Sequence, residues 1–292
     1  MKALIYGNLT VDHNFHQNMF YMLPGGASYY IARSLGNLGV KTLVISPYGE
    51  DFPKIYLPHT RFLPEKPASK QTLIFKNIYL PDGTRKQSVE NLKDSILPPV
   101  DNLPPDIFPT QDLLFVAPIL NNIATSDLDK LLKFTSFGLK ILLPQGFFRK
   151  NLKKEIASVK CNFSNNLFRS FDIIVVSEKD CSEADNLAKY WGQGQTIVIV
   201  TRAEKNATVY HLGTKKNYSS FKVKSIFDET GAGDIFAAAF AFAFYKTGKI
   251  NPAVFFAHAA SALSLPLLPK ELKYGLQEIL YFARHQGIKI NL

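Results

Sequence analysis

Residues 225–248 read SIFDETGAGDIFAAAFAFAFYKTG, which sets Asp228, Glu229, Thr230 and Asp234 around a Gly231-Ala232-Gly233 turn. The apolar run Ile235–Tyr245 follows at once. Three chemistries use a glycine turn at a helix start. A Walker A loop needs a Gly-Lys-Ser/Thr ending, which is missing here, and a dinucleotide fingerprint needs a small residue where Phe236 stands. What remains is an acid and small residues at a helix mouth. The first-turn N–H groups have no partners inside the helix, and the helix dipole adds positive charge there. Small residues let a phosphate reach those amides. A carboxylate held at the same point suits a base that takes a proton from a hydroxyl. Phosphoryl transfer needs both, a cradle for the moving charge and a base for the attacking oxygen. The residues alone leave a plainer reading equally open, in which Asp228 and Asp234 are helix caps.

The elements that must position this stretch follow a β–α rhythm. A strand at Ala3–Tyr6 meets the Gly7-Asn8 turn and runs on to Asp12; Gly25-Gly26 introduces a helix over Tyr29–Leu38, and Lys41–Ser46 is the next strand. Residues 51–70 are Pro-rich and irregular. Gln71–Leu80 and Arg85–Val89 form a hairpin around Pro81-Asp82-Gly83-Thr84, surplus to the main sheet. Strands then fit at Leu113–Val116, Lys140–Leu143, Asp172–Val176 and Thr196–Val200, with a hairpin pair at Ala207–His211 and Tyr218–Val223. Helices fit at 125–136, 180–191, 234–246, 252–264 and 274–285. Alternation of this kind predicts a parallel sheet with crossover helices. The helix after Asp234 is apolar all round, so it belongs in the core, where its N-terminus is held rigidly.

The chain has 292 residues, 46% hydrophobic and 20% charged, which is ordinary globular material. The run Ile235–Tyr245 is too short to span a bilayer. The first residues meet Gly7 before any signal-like apolar stretch develops, and Cys161 and Cys181 have no CxxC spacing. The expectation is a cytoplasmic protein with reduced thiols and no membrane partner. A formal charge of +10 raises nucleic acid as a partner. The basic residues are scattered, however, and their short clusters lack interleaved aromatics, so an anionic small-molecule site fits better.

The stretch Asp228-Glu229-Thr230-Gly231-Ala232-Gly233-Asp234 resembles the D-[ST]-T-G-A-G-D signature of ribokinase-like, pfkB-type carbohydrate kinases. Gly7-Asn8-Leu9-Thr10-Val11-Asp12 is similar to that family's first strand. Gly25-Gly26-Ala27 with Leu35–Gly39 resembles its di-glycine motif and following helix. Thr201 with Glu204-Lys205, and Asn251-Pro252 through His258, are similar to the segments beside the nucleotide. Pro144–Arg149 and VTRAEKNATVYH resemble stretches of inositol-kinase-like members. The likeness runs through nearly the whole chain in the right order.

The resemblance implies a single α/β domain over 1–292, with a three-layer α/β/α core, a mostly parallel sheet, and a small β lid from insertions around 10–24 and 70–92. It implies transfer of the γ-phosphate of ATP, with Mg²⁺, to an alcohol of a sugar, cyclitol or nucleoside. Asp234 would be the base, and Gly231, Ala232 and Gly233 the anion hole. Asp12, Gly25, Gly26, Tyr30 and Arg149 would face the acceptor. Thr201, Ala203, Asn206, Thr230 and His258 would face the nucleotide, and Asp180 would reach the metal through water. A monovalent cation and a homodimer through the lid are both compatible with it. Some positions depart from the family pattern. Tyr30 replaces an Asn, Ser177-Glu178-Lys179-Asp180 replaces Asn-x-x-Glu, and Ala203 and Asn206 replace glycines. These departures motivate a second reading, a nucleotide- or sugar-binding protein without catalysis. Arg149 is either a neutraliser of phosphate or a surface cation, and His13 either touches the acceptor or sits in a turn. Tyr29 and Tyr30 suit the core or a pocket wall.

Overall fold

A computed structural model describes residues 1–16, 19–53, 57–80, 85–108, 111–134, 137–152, 155–158 and 165–292. The expected turn at Pro81–Thr84, the last two residues of the expected helix 125–136, and Cys161 lie outside the described residues.

Among the described residues, fifteen strands form two sheets. The first strands are β1 (Lys2–Gly7), β2 (Thr10–His16), β3 (Met19–Gly25), β4 (Lys41–Ile45), β5 (Thr60–Leu63), β6 (Ile74–Tyr79) and β7 (Arg85–Glu90). Next come β8 (Leu113–Ala117), β9 (Leu139–Leu142), β10 (Arg149–Leu152), β11 (Glu155–Ser158) and β12 (Ile173–Ser177). The last are β13 (Ile197–Thr201), β14 (Asn206–His211) and β15 (Thr214–Ser219). The helices are α1 (Ala27–Asn37), α2 (Thr125–Lys133), α3 (Asn165–Phe168), α4 (Ala184–Trp191), α5 (Ala232–Thr247), α6 (Ile250–Ser264) and α7 (Leu276–His285).

The larger sheet runs β15-β14-β13-β12-β9-β8-β1-β4-β5. All its pairs are parallel except β13–β14 and β14–β15. Side-chain alternation splits its two faces. Ala3 and Ile5 of β1, with Leu113 and Phe115 of β8, face a core shared with α1, α5, α6 and α7. Leu4, Tyr6, Leu114 and Val116 face the opposite core, with α2 and α4. Strands buried on both faces carry the near-continuous apolar runs expected of a parallel sheet. The parallel sheet with crossover helices is the one that the β–α rhythm predicted, and its three α/β/α layers are those that the resemblance implied.

Helix α5 explains its own composition. Nine consecutive residues, Ile235–Ala243, are buried, so no polar face is tolerated. Its alanines let α1 and α6 approach closely while Phe236, Phe240 and Phe242 fill the gaps. Gly248 ends it in the left-handed region, at φ 64°, its N–H donating to Phe244 O at 2.7 Å.

The smaller sheet runs β10-β11-β7-β6-β2-β3. It corrects the sequence reading in several places. The stretch 51–70 is not wholly irregular, because Thr60–Leu63 adds β5 in parallel to β4 as the sheet edge. Asp12 lies in a long hairpin, β2–β3, rather than at the end of the first strand. Residues 149–158 supply two further lid strands that the periodicity did not reveal. The second strand of the C-terminal hairpin is Thr214–Ser219, not Tyr218–Val223. The expected helix at 180 begins only at Ala184, because Ser177–Asp180 forms a turn in which Asp180 N–H donates to Ser177 O at 3.0 Å.

Candidate active site

Strands β1, β12 and β13 end on the same side of the sheet, and the lid covers that end. Ligands of open α/β sheets bind outside the carboxyl ends of the strands, where the strand order reverses. Here β1 is flanked by β4 on one side and β8 on the other. A cleft of about 850 Å³ opens at this point. It brings together Asp12, Gly26, Tyr30, Arg149, Asp180, Thr201, Ala203, Asn206, His258 and the whole Thr230–Asp234 turn. Gly25 lies just behind it, against Asp12. These residues come from both halves of the chain and converge on one space.

At its floor the chain enters α5 through Gly231, at φ 76°. A β-carbon on Gly231 would stand 2.3 Å from the Tyr30 ring, so this turn and that ring are fitted to each other. Tyr30 is therefore both core and pocket wall, while Tyr29 is core, its hydroxyl donating to Pro269 O at 3.3 Å. The Ala232 N–H donates to Glu229 O at 3.2 Å, which occupies one amide of the expected anion hole. By contrast, a β-carbon on Gly233 would meet nothing within 4 Å. The open side of the cradle is at Gly233. Substituting Gly231 with Ala is expected to cost about 3 kcal/mol in urea unfolding, from the left-handed backbone and the collision with Tyr30 together. A loss below 1 kcal/mol would show that the fit to Tyr30 is slack.

Asp234 is half-buried in the first turn of α5. Its pKa is pushed up to about 7, first by desolvation, then by the neighbouring Asp180 and Asp12 carboxylates, against the pull of Arg149 and Gln145. Gln145 Nε2 donates to its Oδ1 at 3.4 Å. A carboxyl poised near neutrality can exchange a proton at working pH.

Across the cleft, Asp12 is 5% exposed and accepts from Thr10 Oγ1 at 2.6 Å. A β-carbon on Gly25 would fall 2.2 Å from Asp12 Oδ2, so that glycine is what lets the carboxylate sit there. Gly26, at φ 84°, faces Asn8 O and starts α1. Register carries the pattern into the lid. Asp12, Asn14 and Tyr21 share the cleft side with Phe75, Asn77 and Tyr79. Gln87 Nε2 donates to Asn77 Oδ1 at 2.9 Å, and Asn77 Nδ2 donates to Asn14 Oδ1 at 3.0 Å, giving the lid a row of neutral amides. His13 is on the other face, edge-on to Phe20 at 5.5 Å, so it neither lines the cleft nor sits in a turn.

Arg149 is not a surface cation. Its side chain is 14% exposed, pairs with Asp180 at 2.8 Å, and lies 5.8 Å from the Phe75 ring centre. Asp180 is thus held beside the cradle by a cation. Among the described residues no three His, Cys, Asp or Glu side chains converge to hold a metal ion. At the far end, Thr201 and Ala203 lead into a turn reaching Asn206, and Ile226, Phe227 and Phe236 supply apolar walls. The Nε2 of His258 and the Oγ1 of Thr230 are buried without a hydrogen-bond partner. Burial pushes the His258 pKa down to about 4, opposed by a hydrogen bond with the Tyr218 backbone, so the ring is neutral at pH 7. Buried polar atoms without partners at a cleft wall await a ligand or water.

Sequence reasoning did not single out Thr10, Gln145 or the amides Asn14, Asn77 and Gln87. Gln145 was visible only as part of the Pro144–Arg149 stretch, and Thr10 could have been found from its spacing of two from Asp12 on a strand. The amides carry no local signal. No described helix is long and apolar enough to cross a membrane.

Comparison with known proteins places the fold among sugar and nucleoside kinases of similar architecture. Residues 126–266 match the family described as "pfkB family carbohydrate kinase". A cytidine kinase of Thermococcus kodakarensis is 26% identical over 265 residues, covering 85% of this chain and 90% of its own. Among solved structures, a pyrophosphate-dependent kinase in the ribokinase family, complexed with a pyrophosphate analog and myo-inositol, superposes with a TM-score of 0.73 at 19% identity. That match covers 91% of this chain and 95% of the other. A fructokinase with bound ATP from Xylella fastidiosa reaches 0.75 at 15% identity, covering 98% and 99%. The chain therefore has a ribokinase-like α/β fold, and over residues 126–266 it is similar to the pfkB family of carbohydrate kinases.

Proposed function

We propose that the protein is a kinase that moves the γ-phosphate of ATP to a hydroxyl of a sugar, cyclitol or related polyol. The observation that carries this reading is Asp234: a carboxyl near neutrality, at the helix mouth beside the open Gly233 cradle, in the same cleft as Asp12. Asp12, fixed by Thr10, orients the acceptor. Asp234 takes the proton of the attacking hydroxyl, and Gln145 holds the carboxylate in line. The Gly233 side of the helix N-terminus receives the developing phosphate charge, and Arg149 neutralises it from above. Thr230 and His258, each with an unpartnered buried polar atom, suit donor contacts, as do Thr201, Ala203 and Asn206. Mg²⁺ accompanying the donor would neutralise its phosphates, with Asp180 the acid that would hold its water. Reliance on a nucleotide donor puts the enzyme in the cytoplasm.

The likeness to a cytidine kinase supports a second acceptor class, a nucleoside. Tyr21, Phe75 and Tyr79 line the acceptor end and offer aromatic faces to a base. The outer lid face carries Phe20, Met22 and Ile78, 40–58% exposed, and supports a homodimer through the lid.

An ADP-release screen against sugars, inositols and nucleosides, with pyrophosphate as an alternative donor, tests the assignment. Turnover with a polyol supports the first reading, and with a nucleoside the second. Nucleotide binding without turnover on any acceptor would favour a binding protein.

A further inference from the structure

The two stretches that depart most from the family pattern, 177–180 and 203–206, are tied together by one side chain that neither pattern contains. Arg202 leaves the end of β13 and is only 13% exposed. Its Nη2 donates to both carboxylate oxygens of Asp185, each at 2.6 Å. Its Nε lies 3.4 Å from Glu178 Oε2. Its Nη1 donates to Asn206 Oδ1 at 3.2 Å, to Val200 O at 3.4 Å, and to Thr208 Oγ1. The backbone closes the same loop: Arg202 N–H donates to Asn206 O at 2.9 Å, and Lys205 N–H donates to Arg202 O at 3.0 Å.

The turn so clamped contains Ala203 at φ 47°, in the left-handed region that disfavours a residue with a β-carbon. A glycine would enter that conformation freely; an alanine has to be held there. Ala203, Glu204 and Asn206 all line the cleft, whereas Arg202 does not. The guanidinium fork is fully engaged by partners behind the loop, so it supplies geometry rather than charge to the cleft.

We propose that Arg202 is a positioning residue for the phosphate donor: it holds the 203–206 turn in its left-handed shape and fixes it to Glu178 and to the start of α4. This rests on the donor end being where Proposed function places it. The consequence is selective. Donor affinity depends on Arg202, while acceptor affinity and the transfer step do not.

The test compares wild type with Arg202→Met, Arg202→Lys and Arg202→Met/Ala203→Gly. Mg-ATP affinity is read by calorimetry, KM for each substrate and kcat by steady-state kinetics, and backbone hydrogen exchange at 203–206 on the protein alone. Arg202→Met is expected to weaken Mg-ATP binding about tenfold or more, with acceptor KM and kcat within threefold. Exchange at 203–206 should quicken by a similar factor. Arg202→Lys keeps the charge without the fork and should fall between. Adding Ala203→Gly should recover part of the donor affinity, because glycine needs less holding. Unchanged donor affinity and unchanged exchange in Arg202→Met would overturn the proposal, as would an equal loss of acceptor affinity. If Arg202→Met does not fold, Arg202→Lys carries the same comparison. Failure of wild type to bind Mg-ATP removes the donor reading, and the exchange measurement then decides the positioning claim alone.

Discussion

Asp234→Asn is expected to fold, and to lose about 10²–10⁴-fold in kcat with little change in either KM, the usual worth of a positioned base. Wild-type activity should climb as pH passes about 7, where the Asp234 carboxyl loses its proton, and the residual activity of the variant should lack that limb. Stability moves the other way. The folded-state pKa lies above the unfolded value of 3.8, so between those two values the folded state binds more protons than the unfolded one. Stability contributed by the protonated form is complete below about pH 4 and is lost as pH rises toward 7. Asparagine imitates the protonated carboxyl at every pH. The variant should therefore be more stable than wild type at pH 8, by roughly 1–3 kcal/mol once solvent screening is allowed for, and the two should converge near pH 4. Melting curves at the two pH values check this, and a pH-independent difference would separate Asp234 from the effect. Undiminished kcat would remove it from the mechanism.

Gly233→Val makes the complementary case. A side chain there meets open cleft rather than protein, so the fold should survive with stability changed by less than about 1 kcal/mol, helix propensity itself favouring Val over Gly. The same side chain fills the space through which a phosphate would reach the α5 amides. Donor affinity and kcat/KM should drop at least about 100-fold, the order lost when an oxyanion donor is removed. Calorimetry with an ATP analogue and a urea titration read the two effects separately. A folded variant with unchanged donor affinity would place the phosphate elsewhere. The contrast with Gly231 is instructive. Two residues away, that glycine answers to packing against Tyr30, so its substitution costs stability first.

The turn at 228–234, the apolar helix behind it and the parallel sheet were legible because each is local: a run of adjacent residues, or a repeat of two or 3.6. Gly25 and Gly26 were legible as a motif, though the physical reason for Gly25, its contact with Asp12, is not. Lid strands β10 and β11 escaped because Arg149–Ser158 carries little apolar alternation and pairs mostly with itself. Strand β5 was hidden by prolines on either side of Thr60–Leu63. Arg202 looked like an ordinary charged residue after a strand. Its importance comes from Glu178 and Asp185, which only the fold brings near. The Asn14–Asn77–Gln87 amides are likewise a product of strand register, and no single segment announces them.

The lid is drawn from three separate stretches of chain, and its pairing of β2 beside β6 joins Val11 to Ile74 in parallel. Non-local pairings of this kind close slowly, because the intervening chain must be ordered before they are rewarded. During synthesis the β2–β3 hairpin emerges early with Met19, Phe20 and Met22 bare, and has no partner until β6 is made. Its remaining edge support, β10 and β11, arrives later still. The nascent chain therefore carries an exposed apolar ribbon for much of its translation, and chaperone dependence in the cell is expected to trace to this hairpin rather than to the core.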